Sequence, residues 1–435
     1  MEWRRINTIL FGVFIWLSSQ LYWISTDRLI RDGDEEGHVG AAEICKDLLN
    51  NGEYVSFFTQ IFLGDLGEYP PLFASYVGFW WWILGEQPEN IVMRSTILIF
   101  PLLTALFCAW TSKTQKGSFD IIFVITLFLP MSNGLARHYM IENPLPALMA
   151  CFIGCICQKG KKWHFGGGLI LGIALLCKQN AFLYVLPFLV IFYQKTPMVL
   201  CGSLIAAPWY ILQMEKQSTY VQQSISSSTE PHIWEMIASP FLSLFWENSG
   251  LIGLLIFLFL WKQGMKLSKD EQKYWIAFAL TMILFVVLPK KYPRLMIGIL
   301  PLFVVLFDTL LKREHVYVQY GIAVLFVIQY FGFSFLSIPP NMLRIKTDDR
   351  CPQIWNRPPY ESDMGLENIA KEIQRRNMNL VRIYAEPIDC NVQTTHPFPY
   401  HLEIYLRRHN LETIIEETDK KNAMIIWNHN NYTFQ

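Results

Sequence analysis

The sequence predicts an all-α polytopic membrane protein with about eleven transmembrane helices and a small α/β domain at its C-terminal end. Three observations predict it. Of 435 residues, 52% are hydrophobic and 17% are charged, whereas soluble domains carry roughly 25% charged residues. Apolar stretches near bilayer length recur through residues 1–338. After 339 the chain turns polar, and helix-period and strand-period segments alternate. Thirty-six Lys and Arg balance thirty-six Asp and Glu, which excludes a basic nucleic-acid binder and a disordered polyelectrolyte.

Arg4 and Arg5 precede an apolar run from Ile6 to about Ser25, with no small-residue cleavage site after it, so it reads as an uncleaved first span. Further spans are expected at roughly 94–112, 119–134, 144–158, 164–178, 181–194, 197–213, 248–262, 273–289, 295–311 and 318–338. With a cytoplasmic N-terminus, the inner loops carry Lys113/Lys116, Lys159/Lys161/Lys162, Lys195, Lys262/Lys266/Lys269 and Lys312/Arg313. Every inner loop is then basic, as the positive-inside rule requires. This threading holds if the aromatic stretch Tyr69–Gly85 lies in the interface, where its Trp80-Trp81-Trp82 run favours the headgroup layer. If it crosses, all later loops invert.

The first extracytoplasmic loop is then 27–93, with juxtamembrane helices, and a Ser/Gln-rich outer loop covers about 214–247. The 339–435 tail forms a small extracytoplasmic domain. Its expected elements are helices at Met364–Arg376 and His401–Arg408 and strands at Leu380–Ala385 and Ala423–Trp427. Seven of the nine cysteines lie before residue 338, mostly in apolar runs, and act as small hydrophobes. Cys351 and Cys390, in the tail, are either a disulfide or two free thiols. No zinc-ligand spacing is present.

Four polar features interrupt the apolar pattern. The first is Arg31-Asp32-Gly33-Asp34-Glu35-Glu36-Gly37-His38, just after the first span. A helix starting there, with Val39–Leu49 in its body, puts Asp34 or Glu35 near a positive dipole end. These carboxylates are general-base candidates, and a divalent cation on a second carboxylate is the one cofactor the cluster could take. A solvated helix cap is the plainer reading. The second is Arg137-His138-Tyr139-Met140-Ile141-Glu142-Asn143-Pro144, between two spans; ionisable groups at membrane depth are costly and point to function. The third is Lys178 in Lys178-Gln179-Asn180, and the fourth is Lys290-Lys291-Tyr292-Pro293-Arg294. Together with Arg137, these cations can cradle a phosphodiester or pyrophosphate, or they snorkel to lipid headgroups. His38 is a further substrate-binding candidate. Tyr69, Trp209 and Tyr210 offer stacking walls, or serve as interface anchors.

In this order the features resemble the GT-C glycosyltransferases, most closely the protein mannosyltransferase and aminoarabinose transferase branch (family 39/83-like). The matching elements are Asp34-Glu35, Tyr69-Pro70-Pro71-Leu72, Arg137 to Pro144, Leu176-Cys177-Lys178, Pro208-Trp209-Tyr210 and Lys290-Arg294 with Pro301. The resemblance covers roughly residues 1–311. It implies inverting transfer of a sugar from a polyprenyl-phosphate donor to a lipid, glycan or protein acceptor at the outer face of a bacterial inner membrane. It also implies a catalytic carboxylate at Asp34, then Glu35. The family often has Asp directly before the second-loop proline; this chain has Asn143 there, and Glu142, one residue earlier, is the catalytic candidate to substitute for it. A flippase for a lipid-linked sugar would need mid-membrane polar groups, broken helices or repeats, and a catalytically silent scaffold is the other rival. Charges grouped near span ends favour the enzyme.

Overall fold

The structure, a computed structural model, describes residues 2–27, 33–64, 69–88, 90–192, 196–226, 233–263, 266–287, 293–336, 359, 366–378, 380–385, 414–417, 424–428 and 431–434. Helix α1 (Glu2–Thr26) is the apolar first segment. Three shorter helices follow, α2 (Gly33–Asn50), α3 (Tyr54–Leu63) and α4 (Leu72–Leu84). The acidic cluster from Gly33 to His38 thus lies inside α2, in its first two turns. With 13 residues, α4 is about 20 Å long, shorter than the ~30 Å hydrocarbon core. It packs closely on α2 because Gly78 has no side chain. A Cβ there would sit 2.5 Å from the Ala42 carbonyl oxygen and 2.6 Å from Cys45 Cβ.

Helix α5 (Ile91–Ser95), a 3-10 turn (Thr96–Leu98) and α6 (Ile99–Thr114) join into one apolar rod. The span expected over 119–134 is instead two helices, α7 (Phe119–Leu127) and α8 (Pro130–Leu135). The reason is Pro130: the residue before a proline is pushed out of the α region, and Leu129 is extended, with ψ 135°. Proline also opens α9 (Pro144–Cys157), where its missing N–H costs nothing. Next come α10 (Lys161–Cys177), α11 (Ala181–Ile191) and α12 (Thr196–Leu212). Helices α10 and α12 meet through small residues: a Cβ on Gly202 would lie 2.8 Å from the Gly168 carbonyl oxygen. Such close backbone approach is how helices associate without a hydrophobic driving force.

The outer loop expected at 214–247 contains α13 (Met214–Ser226), α14 (Ile233–Leu242) and the start of a π-helical turn (Ser243–Asn248). Then follow α15 (Ile252–Lys262), α16 (Lys269–Val287), a 3-10 helix (Pro293–Ile299), α17 (Leu300–Leu311) and α18 (Val316–Phe335). All twelve residues of α17 are buried, and ten of them are apolar, so this helix is the centre of the bundle. Four described helices are long and apolar enough to cross a membrane: Ile6–Thr26, Ile91–Thr114, Arg294–Leu311 and Val316–Phe335. Just after the C-terminal end of α17, Lys312 and Arg313 bind Glu271 of α16, which closes a reciprocal cap with Ser268 at the start of that helix.

The tail folds as expected into helix and sheet. Helix α19 (Leu366–Arg375) precedes β1 (Leu380–Ala385), β2 (Ile414–Glu417), β3 (Ile425–Asn428) and β4 (Asn431–Phe434). The sheet order is β2-β1-β3-β4. Strand β1 is parallel to β2 and β3, with Leu380 opposite Ile414 and Ile383 opposite Ile425, and β4 returns antiparallel. The strands expected at 380–385 and 423–427 are β1 and β3. Strands β2 and β4, four residues each, were not among the expected elements. The helix expected at His401–Arg408, and Cys351 and Cys390, lie outside the described residues.

Candidate active site

Three helix ends bring the first group of charges together. Glu142 sits two residues before Pro144 starts α9. Lys178 leaves α10 with extended backbone, φ −155° and ψ 131°, and forms the corner to α11. Arg294 is in the 3-10 helix that leads into α17. Lys178 Nζ donates to Glu142 Oε1, and Arg294 Nε lies 3.4 Å from the same oxygen. Glu142 is 1% exposed and Lys178 5%. The other carboxylate oxygen, Oε2, is buried and makes no hydrogen bond among the described residues. The first loop closes over this group. Lys178 Nζ is 5.7 Å from the centre of the Tyr69 ring, and the His38 ring stands edge-on to Tyr69 at 5.3 Å. Burial alone would push the Glu142 carboxyl up. Lys178 and Arg294, the Lys178 hydrogen bond and His38 outweigh it and hold the group below the ordinary carboxylate range. His38, Tyr69, Glu142, Lys178 and Arg294 therefore form one cluster.

Asn143 explains the departure from the Asp-Pro pattern. Its Nδ2 donates to the carbonyls of Leu135 and His138, at 3.1 Å and 2.8 Å. An ionised aspartate has no proton to donate and would repel both oxygens. The side chain at 143 thus folds the turn, and the acidic group beside Lys178 and Arg294 comes from Glu142.

A second cluster lies at the start of α2. Glu35, 1% exposed, accepts the Tyr139 N–H at 2.9 Å through Oε1, and its Oε2 is 3.2 Å from His138 Nδ1. The Asp34 backbone is in the first turn of α2, and its side chain lies outside the described residues. Lys290 and Lys291 also lie outside them.

Arg137 is built into the contact between α1 and α18. Its Nε donates to Gln20 at 2.9 Å and one terminal nitrogen to Ser334 Oγ at 2.8 Å. The guanidinium lies 4.6 Å from the Trp23 ring centre. Gln20 continues the network to Asn133. Trp209 is fully buried, and its indole N–H donates to the Gly64 carbonyl at 3.0 Å, fastening α12 to the end of α3. Tyr210 donates to the Leu175 carbonyl at 3.0 Å. Both aromatic residues are thereby occupied in joining helices.

Tyr184 was not legible from the sequence. Its hydroxyl donates to the Leu295 carbonyl and accepts from Asn180 Nδ2 at 3.2 Å, so it ties the Lys178 corner to the Arg294 segment. The one available signal is Asn180 four residues earlier, a helical neighbour in an otherwise apolar run. Among the described residues, no group of three or more His, Cys, Asp or Glu is placed to hold a metal ion.

No protein-family model matches the chain, and no curated protein matches it. Among solved structures, the chain is similar to the crystal structure of ArnT from Cupriavidus metallidurans bound to undecaprenyl phosphate. The TM-score is 0.53 at 14% sequence identity, over 85% of this chain and 72% of that one. The likeness is one of fold.

Proposed function

We propose that the chain is a membrane glycosyltransferase that moves a sugar from a polyprenyl-phosphate carrier to an acceptor hydroxyl at the outer face of the membrane. The observation that supports this reading best is the burial of Lys178 and Arg294 on one carboxylate, under His38 and Tyr69. Buried cations at helix ends suit a phosphodiester. A fold shared with a structure that binds undecaprenyl phosphate agrees with it.

In this reading Lys178 and Arg294 contact the donor phosphate, and Glu142 holds both cations in place. The Asp34 carboxylate takes the proton of the acceptor hydroxyl. The acceptor oxygen bonds to the anomeric carbon as the bond from that carbon to the phosphate oxygen breaks. The electron pair stays on the phosphate, which leaves as the lipid monophosphate, and the two cations stabilise its growing charge. The buried Oε2 of Glu142 is an acceptor open to a donor group of the ligand.

Two measurements test the reading. Purified protein in nanodiscs is titrated with undecaprenyl phosphate; Lys178→Ala and Arg294→Ala each weaken binding by about tenfold or more, since a hydrogen bond to a charged group is worth roughly 1.5–3 kcal/mol. A deletion strain accumulates a polyprenyl-phosphate sugar. Unchanged binding in both variants, or movement of that lipid across the bilayer without sugar transfer, would overturn it; the second result would favour a flippase.

A further inference from the structure

We infer that Glu35 is a positioning residue rather than a base: it clamps the first turn of α2, which carries Asp34, to the 136–143 turn, which carries Glu142. The inference rests on the transferase reading for its kinetic consequences, and on geometry alone for the clamp.

A general base must bring a carboxylate oxygen within about 3 Å of the proton that it takes. Glu35 is 1% exposed, and both of its oxygens are engaged. Oε1 accepts the Tyr139 N–H at 2.9 Å. Oε2 faces His138 Nδ1 at 3.2 Å and accepts from it when that nitrogen carries the proton. The groups it holds are themselves fixed. The His138 ring stands edge-on to Trp23 of α1, 5.8 Å between centres. The Tyr139 hydroxyl donates to the Pro88 carbonyl at 2.9 Å. Asn143 Nδ2 donates to the His138 carbonyl at 2.8 Å, and the Asn143 N–H to the Met140 carbonyl at 3.0 Å. The turn from His138 to Asn143 is thus a rigid unit with Glu142 inside it.

Asp34 is the chain neighbour of Glu35, so its Cα is about 3.8 Å away. Whatever holds Glu35 to Tyr139 and His138 therefore also fixes the backbone of Asp34 relative to the turn that carries Glu142. Misplacement of a reacting group by about 1 Å can cost on the order of a hundredfold in rate. The clamp needs hydrogen-bond geometry more than charge. A glutamine supplies it: the amide oxygen accepts from Tyr139, and the amide N–H donates to His138 Nδ1 in the other tautomer. An aspartate keeps the charge but is one methylene short of both partners.

The experiment compares E35Q, E35D and E35A with wild type, using the polyprenyl-phosphate sugar extracted from the deletion strain as donor. The expected kcat order is wild type, then E35Q within about threefold, then E35D and E35A lower by about tenfold or more, with KM unchanged. A base gives the reverse order: the glutamine variant inactive, the aspartate variant partly active. That result in an active wild type overturns the inference and leaves the transferase reading intact. An inactive wild type counts against the transferase reading instead. The clamp is then read by amide hydrogen exchange over Tyr139–Glu142, slow in wild type and E35Q and about tenfold faster in E35D and E35A. Equal exchange in all four overturns the clamp.

Discussion

Arg294 Nε lies 3.4 Å from Glu142 Oε1, the oxygen that also accepts from Lys178. One buried carboxylate thus joins the start of α9, the corner between α10 and α11, and the 3-10 helix before α17. Desolvating these charges is costly, and only mutual pairing offsets the cost. Two variants of the same pair therefore behave unequally.

Lys178→Met leaves Glu142 buried with one fewer cation and is expected to destabilise the protein by about 3 kcal/mol. Lys178→Met combined with Glu142→Gln removes that pair but leaves Arg294 without its carboxylate, so only part of that loss returns, and binding of undecaprenyl phosphate does not. Thermal melts in nanodiscs and lipid titration of the three proteins check this. Recovery of binding in the double variant would sink the assignment of Lys178 to the phosphate.

Acid should expose the Glu142 pairing. Its carboxyl is held below the ordinary carboxylate range in the folded protein, so the stabilisation is full above the unfolded value of about 4.3 and is lost as pH falls through the lower folded value. Wild type is then more stable than Glu142→Gln at pH 6, and the gap narrows once pH drops below about 4. Melts from pH 6 to 3 measure it; a gap independent of pH contradicts the pairing.

Arg137 is expected to matter for stability and not for the ligand. Arg137→Met leaves Gln20 and Ser334 without the guanidinium and removes the contact with Trp23. A loss of about 2–3 kcal/mol follows from stranding buried polar groups. The folded fraction should bind undecaprenyl phosphate as wild type does, and a large rise in Kd at unchanged stability would place Arg137 at the phosphate.

Gly78→Val tests the seating of α4 on α2. Its Cβ would meet the Ala42 carbonyl oxygen at 2.5 Å and Cys45 Cβ at 2.6 Å, so the helices must separate. Cys45 is fully buried, and burial raises its thiol above the ordinary range, which keeps it unreactive. With the other cysteines replaced, a maleimide should label Cys45 at least about tenfold faster in Gly78→Val than in its Gly78 parent. Equal rates would mean that α2 and α4 are not packed through Gly78.

The amino-acid sequence determined the membrane class, the ends of many apolar helices though not the break at Pro130 or the helices within 214–247, the α/β tail and the identity of most charges in the cluster. Hydropathy and helix stop signals are properties of short windows, and an ionisable residue beside an apolar span stands out because burying it is costly. Lys178, Glu142 and His38 were legible for that reason. Tertiary structure alone decided which charges meet. Arg137 carries the same signal as Lys178 yet is spent between α1 and α18. Glu35 and Asp34 are neighbours in one motif, but packing against Tyr139 and His138 singles out Glu35 as a fastening. Tyr184 gave no periodic signal at all. Partner choice is set where helix ends from distant parts of the chain come together, at distances of a few ångströms that no local window contains.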